Sequence, residues 1–320
     1  MKTAAVEGAA EPAQSCDLTD GPRANLSAAA IAAHPQLVPC IRRQASTLLS
    51  IQQVNPRIAS IFATQQRWLI AHMALAHYFR SAGSDASGGF HATRFIAAIV
   101  SVGVASRNTA DAFLKETLKY GYLKNAPSGR DRRARPLQAT TVSIEAISAW
   151  LATHLATLDA LDGGHRRAAF LARPQAIAAI HPLIADGLLQ SNAIREPDPT
   201  FSLFTWLNEG GIVMDWLYVG LGEIGPGDEC IPSTVSSFDD LGERISLSRT
   251  HLIRKLRMAE SMGSLGWLGE RGKSTMWVSA GFVREYHTQQ SIKLAIIDSA
   301  VHRVFAPQDI AGNAAAKSSQ

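Results

Sequence analysis

A chain that carries the same unit twice folds into two similar halves, or into one body with internal near-symmetry. Shifted by 142 residues, this sequence meets itself. Ser60-Ile61-Phe62 falls on Ser202-Leu203-Phe204, Ile99 on Leu241, and Ser106-Arg107 on Ser248-Arg249. Leu114-Lys115 falls on Leu256-Arg257, Gly121 on Gly263, and Leu123 on Leu265. Asn55-Pro56 meets Asp198-Pro199 with a slip of one. No single coincidence carries weight, but one register held over about 60 residues in the same element order predicts a duplicated unit. We therefore expect a first unit over 26–164 and a second over 165–306. The flanks, 1–25 and 307–320, are rich in small residues without helical periodicity and are expected to be disordered tails.

The chain has 320 residues, 46% of them hydrophobic and 18% charged, so each unit can bury a core. The formal net charge of +4 is unevenly spread. Residues 91–135 carry nine Lys/Arg against three Asp/Glu, and 237–284 carry eight against five. Residues 158–230 carry four against ten. Two basic segments around an acidic middle point to a polyanionic partner more than the total does. The three cysteines are far apart and suit a reducing compartment. The N-terminus has no apolar h-region, so no signal peptide is expected. The best membrane candidate, 201–224, is interrupted by Asn208, Glu209 and Asp215 and reads better as a buried helix. The expectation is a cytoplasmic protein with no membrane partner.

Apolar periodicity predicts a mostly helical chain. Helices are expected over 35–54 and 57–80, separated by Asn55-Pro56 because the residue before proline is biased out of the helical region. A loop follows over 81–90, then short helices over 92–102 and 106–120. Two short strands flank an arginine-rich loop within 121–140. A helix over 143–161 carries Ile144, Ile147, Leu151, Leu155 and Leu158 on one face and ends at Gly163-Gly164.

The second copy shows the unit more clearly. Ser236 or Ser237 can cap a helix, with Asp239 and Asp240 favoured in its first turn by the helix dipole. Leu241 and Ile245 share a face. Ser248 caps the next helix, in which Leu252, Leu256 and Ala259 point inward. Arg249, Thr250, Arg254, Lys255 and Arg257 lie largely outside that stripe, and Gly263 ends the helix. A strand, a tight turn bearing Arg271 and Lys273, and a second strand follow. In the first copy the turn is near Gly103, Ser106 is the cap, and Arg107, Asn108, Thr109, Lys115 and Lys119 are the polar positions.

Helix, turn, basic helix and β-hairpin make a winged helix-turn-helix, whose second helix fits a DNA major groove about 12 Å wide. The first turn of that helix comes closest to base edges, which selects Ser248, Arg249, Thr250 and His251. The hairpin tip of the first copy is "GRDRRAR", with Arg130, Arg132, Arg133 and Arg135 around Asp131. A basic loop there can reach phosphates or a narrow minor groove. The fold class expected is mainly α with small β-hairpin wings: tandem winged helix-turn-helix domains packed through a helical core.

"DRRARPLQATTVSIEAI" (131–147) resembles the wing and following helix of the MarR family of transcriptional regulators. Asp131, Arg133 and Thr140 match its pattern of an Asp-x-Arg pair, a strand, a threonine and a long helix. The resemblance covers about 57–161 and implies that Arg133 enters the minor groove with Asp131 orienting it. Pro136 in the returning strand departs from the pattern, and the shorter wing "GERGKS" of the second copy lacks the Asp-x-Arg pair. Family members are two-fold dimers, so two units in one chain imply an intramolecular pseudo-dimer. The helices outside the winged units (35–80, 143–190, 201–221 and 282–305) would form its core. The resemblance also implies a cleft for a small aromatic effector, for which Trp68, His72, Tyr78, Trp206, Trp216 and Tyr218 are candidates; core packing is the plainer reading of those aromatics.

No enzyme, cofactor or metal is expected. "GLGEIGPG" (220–227) lacks the Lys-Ser/Thr of a phosphate loop, no Gly-x-Ser-x-Gly elbow occurs, and the histidines lack zinc-ligand spacing. His154, His165 and His181 read as scattered. The partner expected is double-stranded DNA. A plasmid-type replication initiator and a winged-helix protein-interaction module remain open alternatives, as does association of whole chains into a homo-oligomer.

Overall fold

The computed structural model describes residues 25–54, 62, 64–82, 88–126, 136–205, 210–225, 227–239 and 249–305. Among them the protein is mainly α-helical with two small antiparallel sheets. The first half holds α1 (Ala28–Ala32), α2 (Leu37–Val54), α3 (Gln65–Ala82), α4 (Ala92–Ser101), α5 (Arg107–Lys119), β1 (Leu123–Asn125), β2 (Leu137–Ala139) and α6 (Thr141–Asp162). The second holds α7 (Arg166–Ala172), α8 (Ile177–Gln190), α9 (Asn192–Arg195), α10 (Pro199–Thr205), α11 (Gly210–Val219), β3 (Cys230–Pro232), α12 (Arg249–Ser261), β4 (Leu265–Trp267), β5 (Met276–Ser279) and α13 (Ala280–Phe305).

Helix pairing between the halves is reciprocal. α2 packs on α11, and α8 packs on α3. α2 also packs on α6, and α8 on α13. α1 lies against α13, and α7 against α6. Exchanging α1, α2, α3 and α6 for α7, α8, α11 and α13 reproduces each of these contacts. The apolar stripes of these helices are therefore buried mainly against the other half. One continuous core results, running from Ile41 on α2 through Leu151 and Leu155 on α6 to Leu217 on α11 and Leu294 and Ile297 on α13. At about 25 cal/mol per Å² of apolar surface, burial of this kind is the main force holding the halves together. A smaller cluster (Phe95, Ile99, Phe113, Leu114 and Leu123) seats α4, α5 and the first hairpin on Ile70 and Met73 of α3.

The local geometry also recurs. α5 and α12 each have 13 residues, and Arg107 maps onto Arg249 at the shift of 142. Tyr122 N–H donates to Thr117 O at 2.9 Å, and Ser264 N–H donates to Ala259 O at 2.9 Å. Leu123 pairs with Ala139 and Leu265 with Val278; Asn125 pairs with Leu137 and Trp267 with Met276. The second strand of each hairpin thus maps at 139 rather than 142, because the second tip is three residues shorter. A third strand, β3, joins the second hairpin, whereas among the described residues the first has only the bridge from Phe90 to Leu137. Gly121 and Gly263 end α5 and α12 with φ of +75° and +69° and open space where a Cβ would sit. Their requirement is backbone conformation alone, so Gly121→Ala and Gly263→Ala should each cost about 1 kcal/mol. Urea denaturation checks this, and costs differing by several-fold would show that the two turns are not equivalent.

Several expectations shift on contact with the structure. α3 is described from Gln65, where Thr64 supplies a cap: its Oγ1 accepts from Arg67 N–H at 3.2 Å. The start expected at 57 lies outside the described residues. Of the helix expected over 201–224 the structure describes α10, to Thr205, and α11, from Gly210 to Val219; 206–209 lie outside the described residues. No single helix among the described residues is long and apolar enough to cross a membrane. Leu252, Leu256 and Ala259 are fully buried on α12. The tails (1–24 and 306–320), the expected helix turns within 240–248 and the first hairpin tip lie outside the described residues.

Candidate functional site

α5 and α12 each present a polar outer face over a buried inner one. On α5, Ala110, Phe113, Leu114 and Thr117 are buried, which leaves Arg107, Asn108, Lys115 and Lys119 exposed and Thr109 half-buried. Ser106 caps the helix, its Oγ accepting from Thr109 N–H at 3.2 Å. On α12, Thr250, His251, Arg254 and Arg257 are exposed and Lys255 is half-buried. Ser248, Arg130, Asp131, Arg132, Arg133 and Arg135 lie outside the described residues, as does the side chain of Arg249.

Not every cation on these faces is unengaged. Lys115 pairs with Asp111 at 2.7 Å one turn back, and Lys119 lies over the Tyr120 ring. Lys273 pairs with Glu270 at 2.7 Å. Arg271 is drawn back from the hairpin tip: it pairs with Glu260 on α12 at 2.8 Å and covers the Phe238 ring. Exposed pairs of this kind contribute about 0–1 kcal/mol, so all but the packed Arg271 exchange partners cheaply. Thr140 closes the first hairpin by donating from Oγ1 to Gly121 O at 2.8 Å. The first unit is tied to the helical core by Arg67–Glu116 at 2.5 Å and by Arg195 Nη2 donating to Val102 O in its turn at 2.9 Å.

Between the helices lies a cavity of about 550 Å³. Its walls come from α2, α3, α5, the start of α6, α10, α11 and α13. Of the predicted cleft residues, Trp68 and His72 line it, whereas Tyr78, Trp216 and Tyr218 do not and Trp206 lies outside the described residues. Position along the helix explains Tyr218. Gly211, Ile212, Met214 and Asp215 are the α11 positions that line the space, and Tyr218, on the same face as Met214 and Asp215, lies one turn beyond it. There it stacks on Tyr286 of α13 with ring centroids 4.5 Å apart and shares a hydrogen bond with His287 at 2.7 Å.

The cavity also gathers polar residues that the sequence reading missed: Asp215, Tyr286, Gln289, Gln290 and Lys293. Tyr286 Oη donates to Asp215 Oδ1 at 2.6 Å. Burial pushes the Asp215 carboxyl up to about 6, although the Tyr286 hydroxyl works the other way. Burial pushes Lys293 down to about 8, partly offset by the Asp215 charge. Both keep some accessible surface because they face the cavity, yet both are removed from bulk water. Gln289 donates to Ala193 O at 2.9 Å, while its Oε1 is buried without a partner. A signal was present: Tyr286, Gln290, Lys293, Leu294 and Ile297 follow helical spacing, so a lysine stood on an otherwise inward-facing stripe.

Of the histidines read as scattered, His154 and His181 come together with His72, whereas His165 is exposed at the start of α7. His72 Nδ1 lies 3.0 Å from His181 Nε2 with the rings stacked, and His154 packs beside them on Trp150. Helix pairing brings them together: α3 carries His72, α8 carries His181 and α6 carries His154. Burial holds all three below their ordinary range, His181 at about 3.

The fold and these surfaces define a mainly α-helical protein with two small β-sheets, two exposed polar helices and an internal cavity. No family model, curated protein or solved structure matches the chain.

Proposed function

We propose that the chain is a sequence-specific DNA-binding transcriptional regulator of the MarR-like winged helix-turn-helix kind, duplicated into an intramolecular pseudo-dimer. The observation that carries this reading is the recurrence of a helix, a turned β-hairpin in one register and an exposed polar first turn in both halves. The reciprocal packing of the remaining helices supports a dimer-like core within one chain. In this reading α5 and α12 enter successive major grooves, and lysines and arginines neutralise phosphates while Asn108, Thr109, Thr250 and His251 read base edges. The first turns differ, Arg107-Asn108-Thr109 against Arg249-Thr250-His251, so the preferred site is an imperfect palindrome. The cavity is where a small aromatic effector would bind.

Light scattering with and without a duplex selected from a random pool tests this. One chain per duplex, with affinity falling steeply as salt rises, is the expected result. Arg249→Ala should relax base preference at one position by about 1–3 kcal/mol. Arg132→Ala should weaken all sequences alike. Two chains per duplex would remove the pseudo-dimer, and no selected sequence at physiological salt would leave the interaction-module reading.

A further inference from the structure

Lys293 is the feature of the cavity that DNA binding does not use. It sits midway along α13 among Leu294, Ile297 and Tyr286, and it lines a space walled by Trp68, Trp150, Phe62 and Phe113. It makes no hydrogen bond and no ion pair within 4 Å with any described residue. An ammonium group so placed is largely withdrawn from bulk water, and the Asp215 charge offsets this only in part, which favours the neutral amine. With a pKa near 8, roughly a tenth of Lys293 is neutral at pH 7, against a few parts in ten thousand for an ordinary lysine. The other described lysines are exposed or, like Lys255, half-buried on the outer faces of the winged elements.

We propose that Lys293 forms an imine, capturing a small aromatic aldehyde in the cavity as a reversible covalent adduct. Three properties of the site meet the needs of that reaction. The amine supplies the nucleophile. The aromatic walls, in a volume within the ordinary range for small-molecule sites, hold the ring of the aldehyde. Asp215 supplies a carboxyl group on the same cavity, positioned by the Tyr286 hydroxyl.

The steps balance without an oxidant or reductant. The Lys293 nitrogen lone pair attacks the carbonyl carbon, the C=O π pair moves to oxygen, and a proton passes from nitrogen to that oxygen to give a carbinolamine. Asp215 then donates a proton to the hydroxyl, which leaves as water while the nitrogen lone pair forms the C=N bond. The remaining N–H proton returns to the Asp215 carboxylate. One amine and one aldehyde give one imine and one water.

This assignment does not rest on the regulatory reading, and its test needs no DNA. The full-length protein is incubated with benzaldehyde and sodium cyanoborohydride at neutral pH, and the reduced adduct is located by peptide mass mapping. The expected result is one benzyl group, on Lys293, formed well before any label on Lys115, Lys119, Lys124 or Lys273. K293R should abolish that fast label. Asp215→Asn should slow it by about a hundredfold, the low end expected for loss of an acid-base group. Circular dichroism reports whether each variant folds, and if K293R does not, the position of the label in the unaltered chain still decides. Labelling of Lys293 no faster than the surface lysines overturns the proposal. So does quenching of tryptophan fluorescence by benzaldehyde with Lys293 left unlabelled.

Discussion

Arg166→Ala is expected to lower the unfolding free energy by about 3–5 kcal/mol, the range for removing one partner of a buried ion cluster. Arg166 leaves 13% of its side chain exposed and meets three carboxylates. Its Nε donates to Asp298 Oδ1 at 2.6 Å, and its two Nη atoms engage both Asp162 oxygens at 2.8 and 2.7 Å. Asp159 lies at 3.4 Å and also accepts from the Arg166 and Arg167 backbone N–H groups. Burial alone would depress the guanidinium pKa, but Asp162 and Asp298 hold it above its ordinary value. Asp298 is only 3% exposed, and its other oxygen accepts from Leu26 N–H at 2.7 Å. The arginine thus joins the end of α6 to α13 and to the segment before α1. Removing it leaves the buried Asp298 side chain without its cationic partner. Urea unfolding measures the effect, and a loss under about 1 kcal/mol would show that the cluster is well solvated. Asp298→Asn should cost less, because the amide keeps a hydrogen-bond acceptor for Leu26.

Acidification is the second large effect. Lowering the pH from 7 to 5.5 should remove about 3 kcal/mol of stability through His72, His154 and His181. Burial depresses all three in the folded chain, with like charges adding to it: His181 and Lys293 act on His72, Lys293 on His154, and Arg80 on His181. The His154 Nδ1–H donates to Trp150 O at 2.8 Å, which fixes the neutral tautomer. In the unfolded chain each protonates near 6.5. Between that value and the depressed folded value the unfolded state binds more protons, so stability is full above 6.5 and falls as the pH drops. His287, held at about 4 by burial, has the same sign. Asp215 opposes them: its folded value near 6 exceeds its ordinary one, so it adds stability as the pH falls through 6. Three fully buried histidines outweigh one carboxyl. Urea midpoints at pH 7 and 5.5 test the sum, and equal midpoints would mean that the histidines protonate in the folded state.

Much of the local structure was legible in the sequence, because it depends on residues close along the chain. Ser106 before a polar turn signals a cap, and Gly263 signals a left-handed helix end, with Gly121 as its counterpart at the shift of 142. The stripe Leu151, Leu155 and Leu158 fixes which face of α6 is buried. The exposed positions of α5 and α12 follow from the same spacing. The cavity was not legible in this way. Trp68 and His72 were drawn to it by their chemistry alone, and Tyr218 was drawn there wrongly, because a helix's period shows which residues share a face but not which neighbour that face meets.

The sequence by itself determined which faces of the local elements are apolar, and it showed in each half a polar-faced helix followed by a short hairpin. Backbone sterics, capping and hydrophobic period act within a few residues and need no partner to be read. Only the tertiary structure decided that α2 packs on α11 while α8 packs on α3, that Arg166 reaches Asp298, that three distant histidines share one core, and that Lys293 faces open space. These depend on how apolar faces pack across more than a hundred residues of chain, where shape and burial choose among partners that the sequence presents as equals.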